Sequence, residues 1–349
     1  MFPKRVKPIA LVVAALALAL CAQAPALAAQ EPGARGRAAE MMKRGDYAGA
    51  VAVLRQVVKN EGKQDAEAWY ELGAAYTGLD DPGEARKAFE KAVKLRDDHA
   101  HAHAALAVAY LNSGQLYNAE HEARRTLGLD PKQAEGNYVL GAVALRRGRF
   151  VEALERAEFA LRDDPDHPRA LLLKSTALVS HALGTPLSGP PTKDSADKAA
   201  AAAERKTRLD AAAEALERLL RLKPDARAAD EWREELEAVR AYAGAYDPSA
   251  PARTVFSGDE VDTKAVILAK PLPTYTQRAR EHGTSGVVRV RIVLGADGQV
   301  KHPLVVRGLP DGLSELAVAA ARKVRFTPAV KDGKPVSTVV MLEYGFNIY

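Results

Sequence analysis

A 34-residue period between Ala34 and Asp225 is the strongest constraint on what this 349-residue chain can become. The clearest unit carries Trp69, Leu72, Gly73, Tyr76, Ala85, Phe89 and Ala92. Thirty-four residues on stand Leu106, Ala107, Tyr110, Gly114, Ala119, Ala123 and Pro131. Another thirty-four bring Leu140, Gly141, Ala144, Gly148, Phe150, Ala153, Ala157, Ala160 and Pro165. An earlier unit, offset by thirty-five, shows Gly45, Tyr47, Ala50 and Leu54. Units of this length touch only their neighbours and bury a core that runs from one to the next. Small residues let backbones approach at the crossings, and large ones fill the gaps between units.

These residues resemble the tetratricopeptide repeat, a pair of antiparallel helices. The resemblance implies an all-α solenoid over 31–245 with about five units. The fifth is interrupted at 184–194, where Gly184-Thr-Pro-Leu-Ser-Gly-Pro-Pro191 is incompatible with a helix. An Ala-rich helix from about Ser195 then resumes, and 226–245, with Trp232, Leu236 and Val239 at helical spacing, closes the stack as a cap. The first helix of each unit is expected on the concave side. By register, Glu67, Tyr70, His101, Asn112, Glu135, Tyr138 and Arg146 face that groove, and Tyr70 and Tyr138 hold one position in units two and four. Aromatic anchors among polar groups suit an extended peptide or a helix. Ordinary solvated positions are the other reading. The Lys/Asn set with which some repeat proteins clamp a terminal carboxylate is absent.

The last quarter reads differently. From Gly286 to Leu294, Val288, Val290, Ile292 and Leu294 alternate with Arg289 and Arg291, the period of a strand with one buried face. Ala296-Asp297-Gly298 suits a hairpin loop, and 299–307 returns as a second strand. Leu313, Leu316, Ala317, Ala320 and Val324 recur at helical spacing, with Ser314 as a candidate cap. Val336, Thr338, Val340, Leu342, Tyr344, Phe346 and Ile348 alternate in a final strand about 40 Å long. A short helix over 275–281 precedes the hairpin. The order predicts a small α+β domain, a three-stranded antiparallel sheet with helices on one face, over 262–349 after a linker at 246–261. A long terminal strand leaves an edge of unpaired N–H and C=O groups, which proteins either cover or use to add a partner's strand.

Lys270-Pro-Leu-Pro-Thr-Tyr275, Gly286-Val-Val-Arg-Val-Arg-Ile292, Asp297-Gly298, Phe326-Thr-Pro-Ala329 and Gly333-Lys-Pro-Val336 fall in one order. That series resembles the C-terminal domain of TonB, the periplasmic energy transducer of Gram-negative bacteria. The family's Tyr-Pro is Tyr275-Thr276 here, and its Trp before the Phe-x-Pro is replaced by Val324-Arg325. The resemblance implies a protein that catalyses nothing and binds an outer-membrane TonB-dependent transporter by strand addition. The strand-edge residues it points to are Val336, Thr338, Val340, Leu342, Tyr344 and Phe346.

Lys4, Arg5 and Lys7, an apolar run over 9–22 and Ala26-Leu27-Ala28 compose a signal peptide over 1–28 and predict a periplasmic protein. As a helix the apolar run spans about 21 Å, short of a hydrocarbon core of about 30 Å. The alternatives are an inner-membrane anchor through 9–22 and lipidation at Cys21; membrane association is expected only by those two routes. A cut after Ala28 removes the single cysteine and with it disulfides and thiol catalysis. The leader accounts for three of the excess positive charges. Residues 29–251 hold 33 basic and 36 acidic residues, and 252–349 hold 14 and 9. So small a surplus argues against nucleic acid as partner.

The one metal-like cluster is Asp97-Asp98-His99-Ala-His101-Ala-His103. In a helix His99 and His103 share a face and His101 does not, whereas extended chain would align all three. The register, at a turn entering a helix, favours incidental surface histidines over weak zinc or nickel binding. Asp163 to His167 reads as helix capping. No phosphate-binding glycine loop, His-Glu-x-x-His or nucleophile elbow occurs, and neither a cofactor nor an enzyme activity is expected. Two functions stay open. One is a periplasmic adaptor that binds envelope proteins through both modules. The other is an assembly scaffold whose C-terminal sheet dimerises or docks internally.

Overall fold

The computed structural model describes residues 33–60, 63–184, 195–245 and 255–347, with the side chains of 195–198 left aside. The leader over 1–28, Cys21, the interruption at 185–194 and the start of the linker at 246–254 lie outside them.

The period builds what its spacing requires. Helix pairs α1 (Ala34–Lys43) and α2 (Tyr47–Lys59), α3 (Ala66–Gly78) and α4 (Pro82–Leu95), α5 (Ala100–Asn112) and α6 (Leu116–Leu129), and α7 (Ala134–Arg146) and α8 (Phe150–Asp163) form four units. Asp46, Asp65 and Asp81 cap α2, α3 and α4 by accepting backbone N–H bonds. Close crossing accounts for the glycines. A Cβ on Gly73 would sit 2.5 Å from the Phe89 ring, and one on Gly141 would sit 2.6 Å from Leu173. Gly45, Gly114 and Gly148 turn the chain between paired helices at φ between +75° and +79°. In unit two Asp80 holds that post at φ +58°, a conformation glycine adopts more cheaply.

The fifth unit pairs α9 (Pro168–Gly184) with the 28-residue α10 (Ser195–Leu222), and α11 (Ala229–Ala245) follows as the cap. His167 caps α9, its Nδ1 accepting from the Ala170 N–H at 3.1 Å.

The C-terminal module begins with β1 (Val255–Phe256) and β2 (Val266–Ala269). Then come α12 (Gln277–Glu281), β3 (Gly286–Leu294), β4 (Val300–Arg307), α13 (Leu313–Ala321), β5 (Arg325–Thr327), β6 (Ala329–Lys331) and β7 (Lys334–Phe346). The antiparallel triad β7-β3-β4 is present, but the sheet is not purely three-stranded. β1 joins β7 in parallel through Val255 to Ser337 and Phe256 to Thr338, and β6 folds back on β7 as a hairpin. β2 and β5 form a separate antiparallel ribbon. Ser314 does not cap α13. Gly312, at φ +80°, occupies the N-cap position, and the Ser314 hydroxyl closes the preceding loop against Leu309 N–H and C=O instead.

One face of the sheet packs on α12 and α13 through Val288, Val290, Ile292, Leu342, Tyr344 and Phe346. The other face is covered at one end by the solenoid. Val293, Leu304 and Val306 share a single hydrophobic core with Leu178, Leu183, Leu216, Val239 and Tyr242 of α9, α10 and α11. Polar contacts register the two modules. Tyr242 Oη donates to the His302 carbonyl at 3.0 Å, Arg291 Nη1 to the Leu183 carbonyl at 3.2 Å, and Arg322 pairs with Glu234 at 2.6 Å. The internal docking that a scaffold reading foresees is therefore a feature of the fold.

Candidate interaction surfaces

Two surfaces have the geometry to hold another polypeptide. The first is the outer edge of β7. Along Gly286–Leu294 the strand is paired with β3 from Phe346 to Thr338. On the other side β1 covers Ser337 and Thr338, and Lys334–Val336 pair with β6. From Val339 to Phe346 no second strand lies alongside among the described residues. Lys270 Nζ donates to the Glu343 carbonyl at 2.9 Å and stands 5.2 Å from the Tyr344 ring centroid. The opposite rim of the sheet is unsuited to pairing. β4 contains Pro303, its His302 sits at φ +48°, its register with β3 slips twice, and Tyr242 bonds its backbone.

Thr338, Leu342, Tyr344 and Phe346, expected at the strand edge, are buried, while Val336 and Val340 are half-buried. Their side chains belong to the packed face, so what β7 can offer a guest is its backbone. Burial pushes the Tyr344 phenol up to about 12, and its hydroxyl finds no hydrogen-bond partner among the described residues. Met341, Glu343 and Gly345 on the opposite face are exposed.

The second surface is the concave groove. Register assigns corresponding positions of α3, α5, α7 and α9 to its floor, with Tyr70, Ala104, Tyr138 and Leu172 in one row and Ala74, Val108, Ala142 and Thr176 in the next. Near its first units a crevice of about 570 Å³ is lined by Glu67, Tyr70, Arg96, Asp98, His99 and His101. His101 and Asn112 are exposed, and Tyr70, Tyr138 and Arg146 are half-buried. Arg146 Nη1 donates to the Leu111 carbonyl at the end of α5 at 2.7 Å, and burial lowers the pKa of its guanidinium. Toward unit five the trough closes, with Val179, Ser180 and Leu183 buried where the sheet docks.

Two copies of one arrangement line the groove. The Tyr70 ring lies 5.2 Å from His99, whose Nε2 is 3.2 Å from Glu67. Sixty-eight residues on, the Tyr138 ring lies 5.9 Å from His167, whose Nε2 is 2.6 Å from Glu135. Burial raises both phenols above the ordinary tyrosine value. It also works to raise the Glu135 carboxyl, but the His167 hydrogen bond and the Arg169 charge hold it below the ordinary value. Burial, helped by the nearby Arg96 charge, lowers His99. The sequence shows His99 in a surface cluster and His167 in a capping turn, and the equal spacing of Glu, Tyr and His is the signal that pairs them with Tyr70 and Tyr138. His103 is committed elsewhere, to Glu122 at 2.6 Å and the Asp97 carbonyl at 3.0 Å. His99 and His103 thus serve separate contacts, while the exposed His101 ring lies 6.5 Å from that of His99.

Among known families, residues 271–348 match the C-terminal domain of the Gram-negative bacterial TonB protein, and segments from 35 to 181 match the tetratricopeptide repeat. The chain is 32% identical over 89 residues to the TonB protein of Vibrio cholerae serotype O1, covering 25% of this chain and 36% of that one. It is 28% identical over 122 residues to the type IV pilus assembly protein PilF of Pseudomonas aeruginosa, covering 35% of this chain and 48% of that one. The chain thus spans less than half the length of either relative. A crystal structure of MamA aligns with 52% of this chain and 94% of its own at 22% identity and a TM-score of 0.40.

Proposed function

We propose, on the premise that this chain joins tetratricopeptide repeats to a domain of the TonB C-terminal family, that it is a non-enzymatic adaptor of the Gram-negative cell envelope. Both modules are of protein-binding kinds. The adaptor works in the periplasm, where the C-terminal module accepts an extended segment of an envelope protein along β7 while the solenoid groove holds a second polypeptide. An outer-membrane TonB-dependent transporter is the first partner to seek. The observation that carries the reading is the outer edge from Val339 to Phe346, which no second strand covers among the described residues while the opposite rim is blunted. Eight residues of open edge offer several main-chain hydrogen bonds, the source of affinity in strand addition. In the groove, Tyr70, His101, Asn112, Tyr138 and Arg146 are the residues proposed to contact the guest. Among the described residues no helix is long and apolar enough to cross a membrane.

The internal docking favours a second reading, an envelope assembly scaffold in which the C-terminal sheet serves mainly to close the solenoid. The stretch shared with a pilus assembly protein is consistent with that. Capture from solubilised Gram-negative envelopes with the chain from Ala29 onward separates the two, coupled to amide hydrogen exchange on the complex. Recovery of a transporter with new protection confined to 339–346 supports the adaptor. A partner that leaves those amides unprotected overturns strand addition and leaves the scaffold.

A further inference from the structure

The ribbon of β2 and β5 has no part in either reading, yet it exposes an apolar surface of a kind that marks interaction sites. Val266 is 54% exposed, Ile267 40%, Leu268 66% and Leu272 81%. The register explains the outward aim. Phe326 is buried while Arg325 and Thr327 beside it are exposed, and Val266 is the partner of Thr327. Directly opposed residues of an antiparallel pair share a face, so Val266 stands on the solvent side with them. Between Ile267 and Ala269 the pairing slips by one residue, which makes Leu268 the extra residue of a bulge, a device that re-aims a side chain. Leu272 follows between Pro271 and Pro273.

Within the two segments that carry the ribbon, the formal charges have one sign. From Thr263 to Arg280 there is no acidic residue, while Lys264, Lys270, Arg278 and Arg280 are basic. From Arg322 to Lys331 there is again none, while Arg322, Lys323, Arg325 and Lys331 are basic. Lys264, Lys323 and Arg325 have no ion-pair partner among the described residues.

We propose that the ribbon is a docking surface for an anionic lipid bilayer, with Val266, Leu268 and Leu272 at the headgroup boundary and Lys264, Lys323 and Arg325 toward the headgroups. Apolar side chains entering the interface and basic residues drawn to an anionic leaflet are the two elements of peripheral binding, and here they lie on one ribbon and the residues that flank it. A bilayer supplies both counterparts in one plane. An added protein strand is disfavoured, because the bulge at Leu268 and the prolines 271 and 273 blunt the edge it would need. The ribbon's outer edges carry backbone groups that cannot enter hydrocarbon, so contact stops at the interface. This is a route to the membrane that the sequence reading, confined to the N-terminus, did not include.

The test is co-sedimentation of the chain from Ala29 onward, which keeps every described residue, with vesicles. One set is phosphatidylcholine alone and the other phosphatidylcholine with phosphatidylglycerol. Binding to the anionic vesicles is expected to exceed binding to the neutral ones by about tenfold at low salt and to fall steeply as salt rises. The double variant Leu268→Asp/Leu272→Asp should lose it, as should Lys264→Glu/Arg325→Glu. Because all four side chains are exposed, both variants should keep the parent's circular dichroism and melting profile. Failure to sediment with anionic vesicles, equal sedimentation of Leu268→Asp/Leu272→Asp, or capture of a protein through these side chains without vesicle binding would each overturn the proposal.

Discussion

Glu235 offers a quantitative check on the docking of the two modules. It lies on α11 on the face that also carries Val239 and Tyr242, four and seven residues on, and both of those are in the shared core. It has no hydrogen-bond or ion-pair partner among the described residues, and burial alone pushes its carboxyl up to about 7 from the ordinary 4.5. The protonated form is therefore the one the folded state favours. Stability from this group is fully present below pH 4.5 and is lost as pH rises through 7. The full cost of ionising it is about 3 kcal/mol, and about half of that is a fair expectation for a side chain that keeps some contact with water. Glu235→Gln keeps the shape and removes the proton equilibrium. Urea unfolding of parent and variant should give nearly equal free energies at acid pH. By pH 8 the variant should be more stable by about 1.5–3 kcal/mol. A gap that is the same at both pH values would refute the reasoning, because it would show that Glu235 is as well solvated folded as unfolded.

Other expectations can be checked by unfolding measurements on single variants. Asp80→Gly should raise stability by about 0.5–1 kcal/mol, since it relieves a side chain from φ +58° where the sister units use glycine. Gly73→Val should cost about 1–3 kcal/mol or more, because its Cβ alone would meet the Phe89 ring at 2.5 Å. Leu304→Ala, in the core common to sheet and solenoid, should cost about 2–5 kcal/mol and lower the melting of the helical signal together with that of the sheet. Two separate transitions, with only the sheet affected, would contradict a joint core.

The solenoid was legible because its information is periodic. Gly73, Gly141 and Phe89 sit where close crossings need them, and the thirty-four-residue spacing carries register from unit to unit. The β3–β4 hairpin and β7 were legible through strict alternation over eight or more residues. What escaped was short or distant. β1 and β5 are two and three residues long, too brief for any period to appear, and they are held by partners about eighty and about sixty residues away respectively. Serine is a common helix cap, yet the left-handed Gly312 starts α13 and frees the Ser314 hydroxyl for the loop. The candidate groove residues were placed by register. The engagement of Glu67 and Glu135 by histidines of the following units depends on three-dimensional stacking that register does not report. Alternation likewise marked which β7 side chains are apolar, without revealing that their burial leaves only the main chain to offer.

The asymmetry between the two rims of the sheet also fixes stoichiometry. A molecule with one receptive flank and one spoiled flank can satisfy a single incoming ribbon, and then nothing remains for a third chain to continue. If two copies meet through Val339–Phe346, they do so about a twofold axis and saturate each other, a closed pair that cannot elongate into fibrils.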